Sequence, residues 1–175
     1  MHPAIWILSA LFALAAGITD LRSRRIPNWL TYPAAPLAVA LHAIAGGWPE
    51  AKVSLKGFGI AFAVFLILFL LRALGGGDLK LAAGLGAFVG VHHLADVIVA
   101  ILLINALIAI VLIISKRRMW RTLKNIGRLI AAFFRFHLPE RDLTIDNPEA
   151  IKVPFGVAAA IAVLLYVGAH WRGPF

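Results

Sequence analysis

Two aspartates stand where an ionisable group is costly. Asp20 closes an apolar run in the segment TDLRSRRIPN, and Asp78 opens another in GGGDLKLAAGLGAF. A carboxylate at the boundary of a membrane span is a functional candidate by default. Each one alone reads as a helix-end charge. Asp78 would lie at the positive end of a helix dipole, and Asp20 would pair with Arg22 or Arg24. Brought together and sharing one proton, the two suit hydrolysis of a peptide bond. The ionised carboxylate takes a proton from water, and the protonated one donates to the carbonyl oxygen. Mutual repulsion separates their protonation steps, which then belong to the pair. No other set of residues makes a better site. Ser9, Ser23, Ser54 and Ser115 lie in no nucleophile motif. The chain has no cysteine, which removes thiol nucleophiles, thiolate zinc sites and disulfides.

The elements that must carry these carboxylates are membrane helices. Of 175 residues, 62% are hydrophobic and only 14% charged, against about a quarter charged in soluble domains. Mean hydropathy is +0.91. The chain is expected to be all-α, a single membrane-embedded domain over residues 1–175 with about six spans: 4–19, 29–46, 57–74, 79–94, 97–115 and 153–170. The run at 4–19 is expected to be retained and not to act as a cleaved signal, because no Lys or Arg precedes it. The fourth span is the weakest, rich in Gly and Ala with Lys80 near its start. Charge supports it. With six spans and both termini outside, 14 of the 17 lysines and arginines fall on the inner side, as the positive-inside rule requires. Without the fourth span the most basic loop would lie outside. The net charge of +9 is therefore read as orientation and attraction to anionic membrane lipid, and no nucleic acid partner is expected. The long inner connection, about 116–152, begins KRRMWRTLKNIGRLIAAFFRF. Met119, Leu123, Ile126, Ile130, Phe133 and Phe134 recur there at helical spacing between basic residues, the pattern of an amphipathic helix lying in the interface.

Softer candidates surround the aspartates. Gly75, Gly76 and Gly77 precede Asp78 and would let another backbone approach. Lys80 would lie near the pair, to tune a carboxylate or hold substrate, or simply to reach the inner interface. Pro154, Phe155 and Gly156 open the last span and would shape the rim of the site; Pro-x-Gly is also an ordinary helix start. His92 and Asp96 have the i,i+4 spacing that metal sites use. They lie at the far end from the aspartates, where a polar loop is the expectation. No metal and no cofactor are expected.

Three segments resemble the type IV prepilin peptidases. GGGDLK is similar to that family's glycine-x-glycine-aspartate motif, with a Lys two residues after the Asp. DLRSRRIPNWLT is similar to its Asp-basic-Ile-Pro-Asn signature, and KVPFGVAAAIA to its Pro-Phe-Gly-x-Ala segment. The resemblance implies that Asp20 and Asp78 are the catalytic pair of an aspartic endopeptidase in the cytoplasmic membrane, its site facing the cytoplasm. The implied partner is a prepilin or pseudopilin precursor, a basic leader ahead of an apolar helix, cut after a Gly. Many members also methylate the new N-terminus with an inserted domain bearing two Cys pairs. The expectation here is the small form without a methyltransferase domain, similar to those of tight-adherence pili. Two other readings stay open: a related peptidase for archaellin-type or other membrane helices, and a non-enzymatic proton or cation transport component. The oligomeric state and the particular pilin stay open as well.

Overall fold

The computed structural model describes residues 2–115 and 153–170, and among them every regular element is a helix. Helix α1 covers Pro3–Ser23, the short α2 Asn28–Thr31, α3 Ala34–Leu70, α4 Gly76–Ser115 and α5 Phe155–His170. The amphipathic segment expected near 116–152 lies outside the described residues.

Local chemistry sets the ends. His2 caps α1, its Nδ1 accepting the Ala4 amide at 3.3 Å, with Pro3 in the first turn. At the other end Arg24 takes a left-handed backbone (φ 53) and its N–H closes on the Asp20 carbonyl at 2.8 Å. Pro27 then forbids continuation and starts α2. Helix α3 ends the same way. Arg72 (φ 55) closes on the Phe69 carbonyl at 2.9 Å and Ala73 on the Leu68 carbonyl at 2.9 Å, a Schellman turn with arginine where glycine is usual.

Three helical stretches are long and apolar enough to cross a membrane: Pro3–Ser23, Asn28–Leu70 and Gly76–Ser115. Phe155–His170 is a shorter apolar helix. The second and third run to 43 and 40 residues, about twice the ~20 that a bilayer needs. Both are broken by glycine. Gly47 (φ 69) interrupts α3, and Pro49 sits in the first turn of its second half. Gly90 (φ 66, ψ 170) interrupts α4. A side chain at either position would be forced into the left-handed region that L-residues avoid.

The break at Gly90 strips carbonyls of their helical partners, and α3 supplies replacements. Ser54 donates its hydroxyl to the Ala87 carbonyl at 2.8 Å, and His42 Nε2 lies 3.0 Å from the Phe88 carbonyl. Since a carbonyl only accepts, His42 carries its proton on Nε2 there. Both side chains are fully buried, so each bond answers a group that would otherwise be orphaned away from water.

The first half of α4 is the centre of the bundle. Leu79 and every residue from Leu81 to Gly90 are buried. This explains why the fourth expected span is so weakly hydrophobic: it faces protein, where small residues allow close packing, and not lipid. Against it, α3 comes into backbone contact. A Cβ at Gly57 would run into the Gly86 carbonyl oxygen and lie 2.9 Å from the Gly90 Cα; one at Gly86 would lie 2.6 Å from the Gly57 carbonyl oxygen. The outer faces of α3 and of the second half of α4 carry exposed Leu, Ile, Val and Phe, the composition of a lipid-facing surface.

Candidate active site

Asp20 lies in the last turn of α1 and is buried, with 6% of its surface exposed. Its anchor comes from another helix. Pro154 accepts the first helical amides of α5, Val157 at 3.1 Å and Ala158 at 3.2 Å, which leaves the Gly156 N–H without an intrahelical partner. That N–H donates to Asp20 Oδ2 at 2.8 Å. Asp20 thus caps α5 from outside it, where the positive end of the helix dipole meets the carboxylate. The approach depends on small residues. A Cβ at Gly156 would lie 2.8 Å from the Asp20 Cβ and 3.0 Å from the Ala16 carbonyl oxygen; one at Gly17 would lie 2.8 Å from the Ala160 Cβ. Phe155 holds the start of α5 from the other side, its ring edge-on to the buried Phe65 of α3 at 5.7 Å and 70°.

Asp78 is anchored within its own helix. The Gly75 carbonyl accepts from Leu79 at 3.2 Å, so Gly75 is the cap and Asp78 the third residue inside. Asp78 Oδ2 reaches back to accept the Gly75 N–H at 3.0 Å, half of a capping box with aspartate in the usual Glu or Gln position. Gly77 faces the stretch after α1, where a Cβ would lie 3.4 Å from the Ile26 Cβ. The two carboxyl groups stand at one end of the bundle, within electrostatic reach of each other. Asp20, Asp78, Gly75, Gly77, Phe155 and Gly156, named from three separate segments, are thus gathered at the junction of α1, α4 and α5. Each aspartate has Oδ2 engaged by a backbone amide.

Lys80, expected to tune a carboxylate, hold substrate or reach the inner interface, makes its contacts with α2 and the residue after it. Its Nζ donates to Asn28 Oδ1 at 2.9 Å and to the Tyr32 hydroxyl at 3.1 Å, and lies 4.6 Å from the centre of the Tyr32 ring. The ammonium therefore ties α2 to α4. Asn28 and Tyr32 were not singled out in the sequence, although Asn28 belongs to the Ile-Pro-Asn segment. Because this tether is exposed, Lys80→Ala is expected to lower any activity of the site by no more than about tenfold, the scale of an exposed polar contact of ~1 kcal/mol. A rate measurement on the membrane-inserted variant checks this; a complete loss would instead put Lys80 in the chemistry.

At the opposite end, residues 91–100 are helical, so His92, His93 and Asp96 do not form the expected polar loop. His93 and not His92 faces the bundle. Its Nδ1 lies 3.1 Å from the Tyr166 hydroxyl, which donates to Asp96 Oδ2 at 3.1 Å, while Trp6 packs on both rings. The hydroxyl has to donate to the carboxylate, so it accepts from His93. This network bolts α4 to α5. Among the described residues no three His, Asp or Glu side chains gather as metal ligands would.

Three helical stretches long and apolar enough to span a bilayer mark a membrane protein. Residues 7–114 match the type IV leader peptidase family, and the chain belongs to it. Membership makes this a peptidase, a hydrolase. The match ends before the Pro154–Gly156 segment, which reaches the site through the packing of α5. No curated protein and no solved structure matches the chain.

Proposed function

We propose that the protein is an aspartic leader peptidase of the cytoplasmic membrane, cutting prepilin or pseudopilin precursors behind their basic leader with Asp20, Asp78 and a water. The observation that carries this reading is the pair itself. Two carboxylates from different helices lie at the same end of the bundle, each with a backbone amide on one oxygen. Asp20, which caps α5, acts as the base, and Asp78 carries the shared proton. The carboxylate of Asp20 takes a proton from water as the oxygen attacks the scissile carbonyl. Asp78 gives its proton to the carbonyl oxygen, forming a gem-diol; as the C–N bond breaks, the proton now on Asp20 passes to the leaving amine and Asp78 takes one back from a diol hydroxyl, which restores the pair.

Six spans with both termini outside put this pair at the cytoplasmic face. Glycine breaks at Gly47 and Gly90 divide the two longest helical stretches, which supports a count above three spans. Helices α1 and α3 meet only marginally, which suits lateral arrival of a helical substrate between them.

The test is the purified protein in liposomes with a prepilin precursor, read by mass spectrometry. The expected product begins directly after the leader Gly, and EDTA leaves the rate unchanged. An uncut precursor, or a rate abolished by chelator and restored by a divalent metal, overturns the two-aspartate mechanism.

A further inference from the structure

Next to Asp20 along the chain, the turn between α1 and α2 forms an open cleft of about 400 Å³ whose lining includes Thr19, Arg22, Arg25, Ile26, Asn28 and Trp29. Its charge is of one sign: no carboxylate is among these residues. The Arg22 and Arg25 guanidiniums have no hydrogen-bond or ion-pair partner among the described residues. Arg24, between them in sequence, is not part of the lining and makes contacts of its own. The neighbouring polar groups are already engaged. Ser23 donates to the Thr19 carbonyl at 2.7 Å, and Asn28 accepts from Lys80 at 2.9 Å. The cleft therefore offers two cations that have no partner among the described residues.

Its place in the fold says what would fill it. It lies at the end of an apolar helix long enough to span a bilayer. Trp29 and Tyr32 stand beside it at 72% and 63% exposure, amphipathic rings of the kind that settle at headgroup depth. Two guanidinium forks suit a phosphate with its several acceptor oxygens. A ligand held here has its phosphate between the arginines and its apolar part along the exposed Ile18 and Leu21 of α1.

We propose that this cleft is a headgroup site for an anionic phospholipid, held at its phosphate by Arg22 and Arg25 with Trp29 at the mouth. The site is coupled to the carboxylates through its wall. Thr19 precedes Asp20, and Ile26 packs on Gly77, so an occupied cleft braces the turn that separates α1 from the start of α4.

Binding is read directly, without reference to catalysis. The full-length protein, purified in a neutral detergent, is mixed with dioleoyl-phosphatidylglycerol or dioleoyl-phosphatidylcholine, and retained lipid is counted by native mass spectrometry. Retention of the phosphatidylglycerol alone is expected. Arg22→Gln with Arg25→Gln should weaken it roughly 25-fold, about fivefold for each cation near an anionic lipid. Lys52→Gln with Lys56→Gln, on α3 away from the cleft, should leave it unchanged. Inorganic phosphate at millimolar concentration should not displace the lipid. Equal retention by the arginine variant, or equal loss in the lysine variant, overturns the proposal. Displacement by phosphate alone makes the cleft a free-phosphate site, and displacement by an acidic peptide gives it to a protein partner; either result overturns the lipid assignment. A protein that binds the lipid here yet cuts no precursor would refute the peptidase reading and leave this one standing.

Discussion

Asp20→Asn and Asp78→Asn should each lower precursor cleavage by roughly 10²–10⁴-fold, the contribution of a positioned general acid or base, while the protein stays inserted and folded. The second half of this prediction rests on geometry. The Gly156 and Gly75 amides each donate to an Oδ2, and an asparagine carbonyl oxygen accepts such a bond as a carboxylate does. The substitution keeps size and anchor and removes only the capacity to take or give the proton. The double variant should be little worse than either single one, since residues acting as a unit are not additive. The measurement is the mass shift of a co-expressed precursor at fixed times, beside the membrane level of each variant. An asparagine variant that cuts at the normal rate would reduce that aspartate to a helix-end charge.

Gly57→Ala should be the most damaging single methyl in the bundle. The added carbon meets the Gly86 carbonyl oxygen and the Gly90 backbone, and backbone cannot rotate away as a side chain can. The cost is expected at the upper end for overpacking, about 3 kcal/mol, because α3 must separate from the buried half of α4 and draw Ser54 and His42 off their carbonyls. Gly59→Ala is the matched control. Two residues along the same helix, its added carbon meets nothing within 4 Å, and the better helix former should be neutral or stabilising by up to ~1 kcal/mol. Thermal unfolding of the two variants in the same detergent, followed by circular dichroism, separates them. Equal midpoints would mean that the close α3–α4 contact does not limit stability.

The parts of this molecule that the chain spells out locally were legible. Helical class and membrane character follow from apolar runs, and Asp78 at a helix start follows from three glycines and an aspartate in sequence. Its bond to Gly75 spans only three residues. The Asp20–Gly156 bond joins positions 136 apart, so no spacing rule reaches it; the two segments were named separately, and only packing shows that one caps the other. The contacts of Lys80 were illegible for a related reason. Its nearness to Asp78 along the chain suggested a role at the carboxylate, but neighbouring residues of a helix point to different sides, and Lys80 turns to Asn28 and Tyr32. The His92–Asp96 stretch was read as a loop because polar residues interrupt an apolar run. The actual break falls at Gly90, where a left-handed glycine frees carbonyls that buried Ser54 and His42 recover. Neither side chain carries a sequence signal for that task.

The two anchors of the site also store its geometry in different places. One is written into a single turn of α4 and survives whatever that helix does as a body. The other exists only while α1 and α5 lie in register, with Gly17 against Ala160 and Gly156 against Asp20. Anything that lets these helices drift by an ångström would leave a chain with full helicity and one aspartate still correctly aimed, but with its companion released. Enzyme prepared in a harsh detergent would then look intact to any spectroscopic probe of secondary structure and be silent in an assay. Turnover, not helix content, is the gauge by which to choose the conditions for its purification.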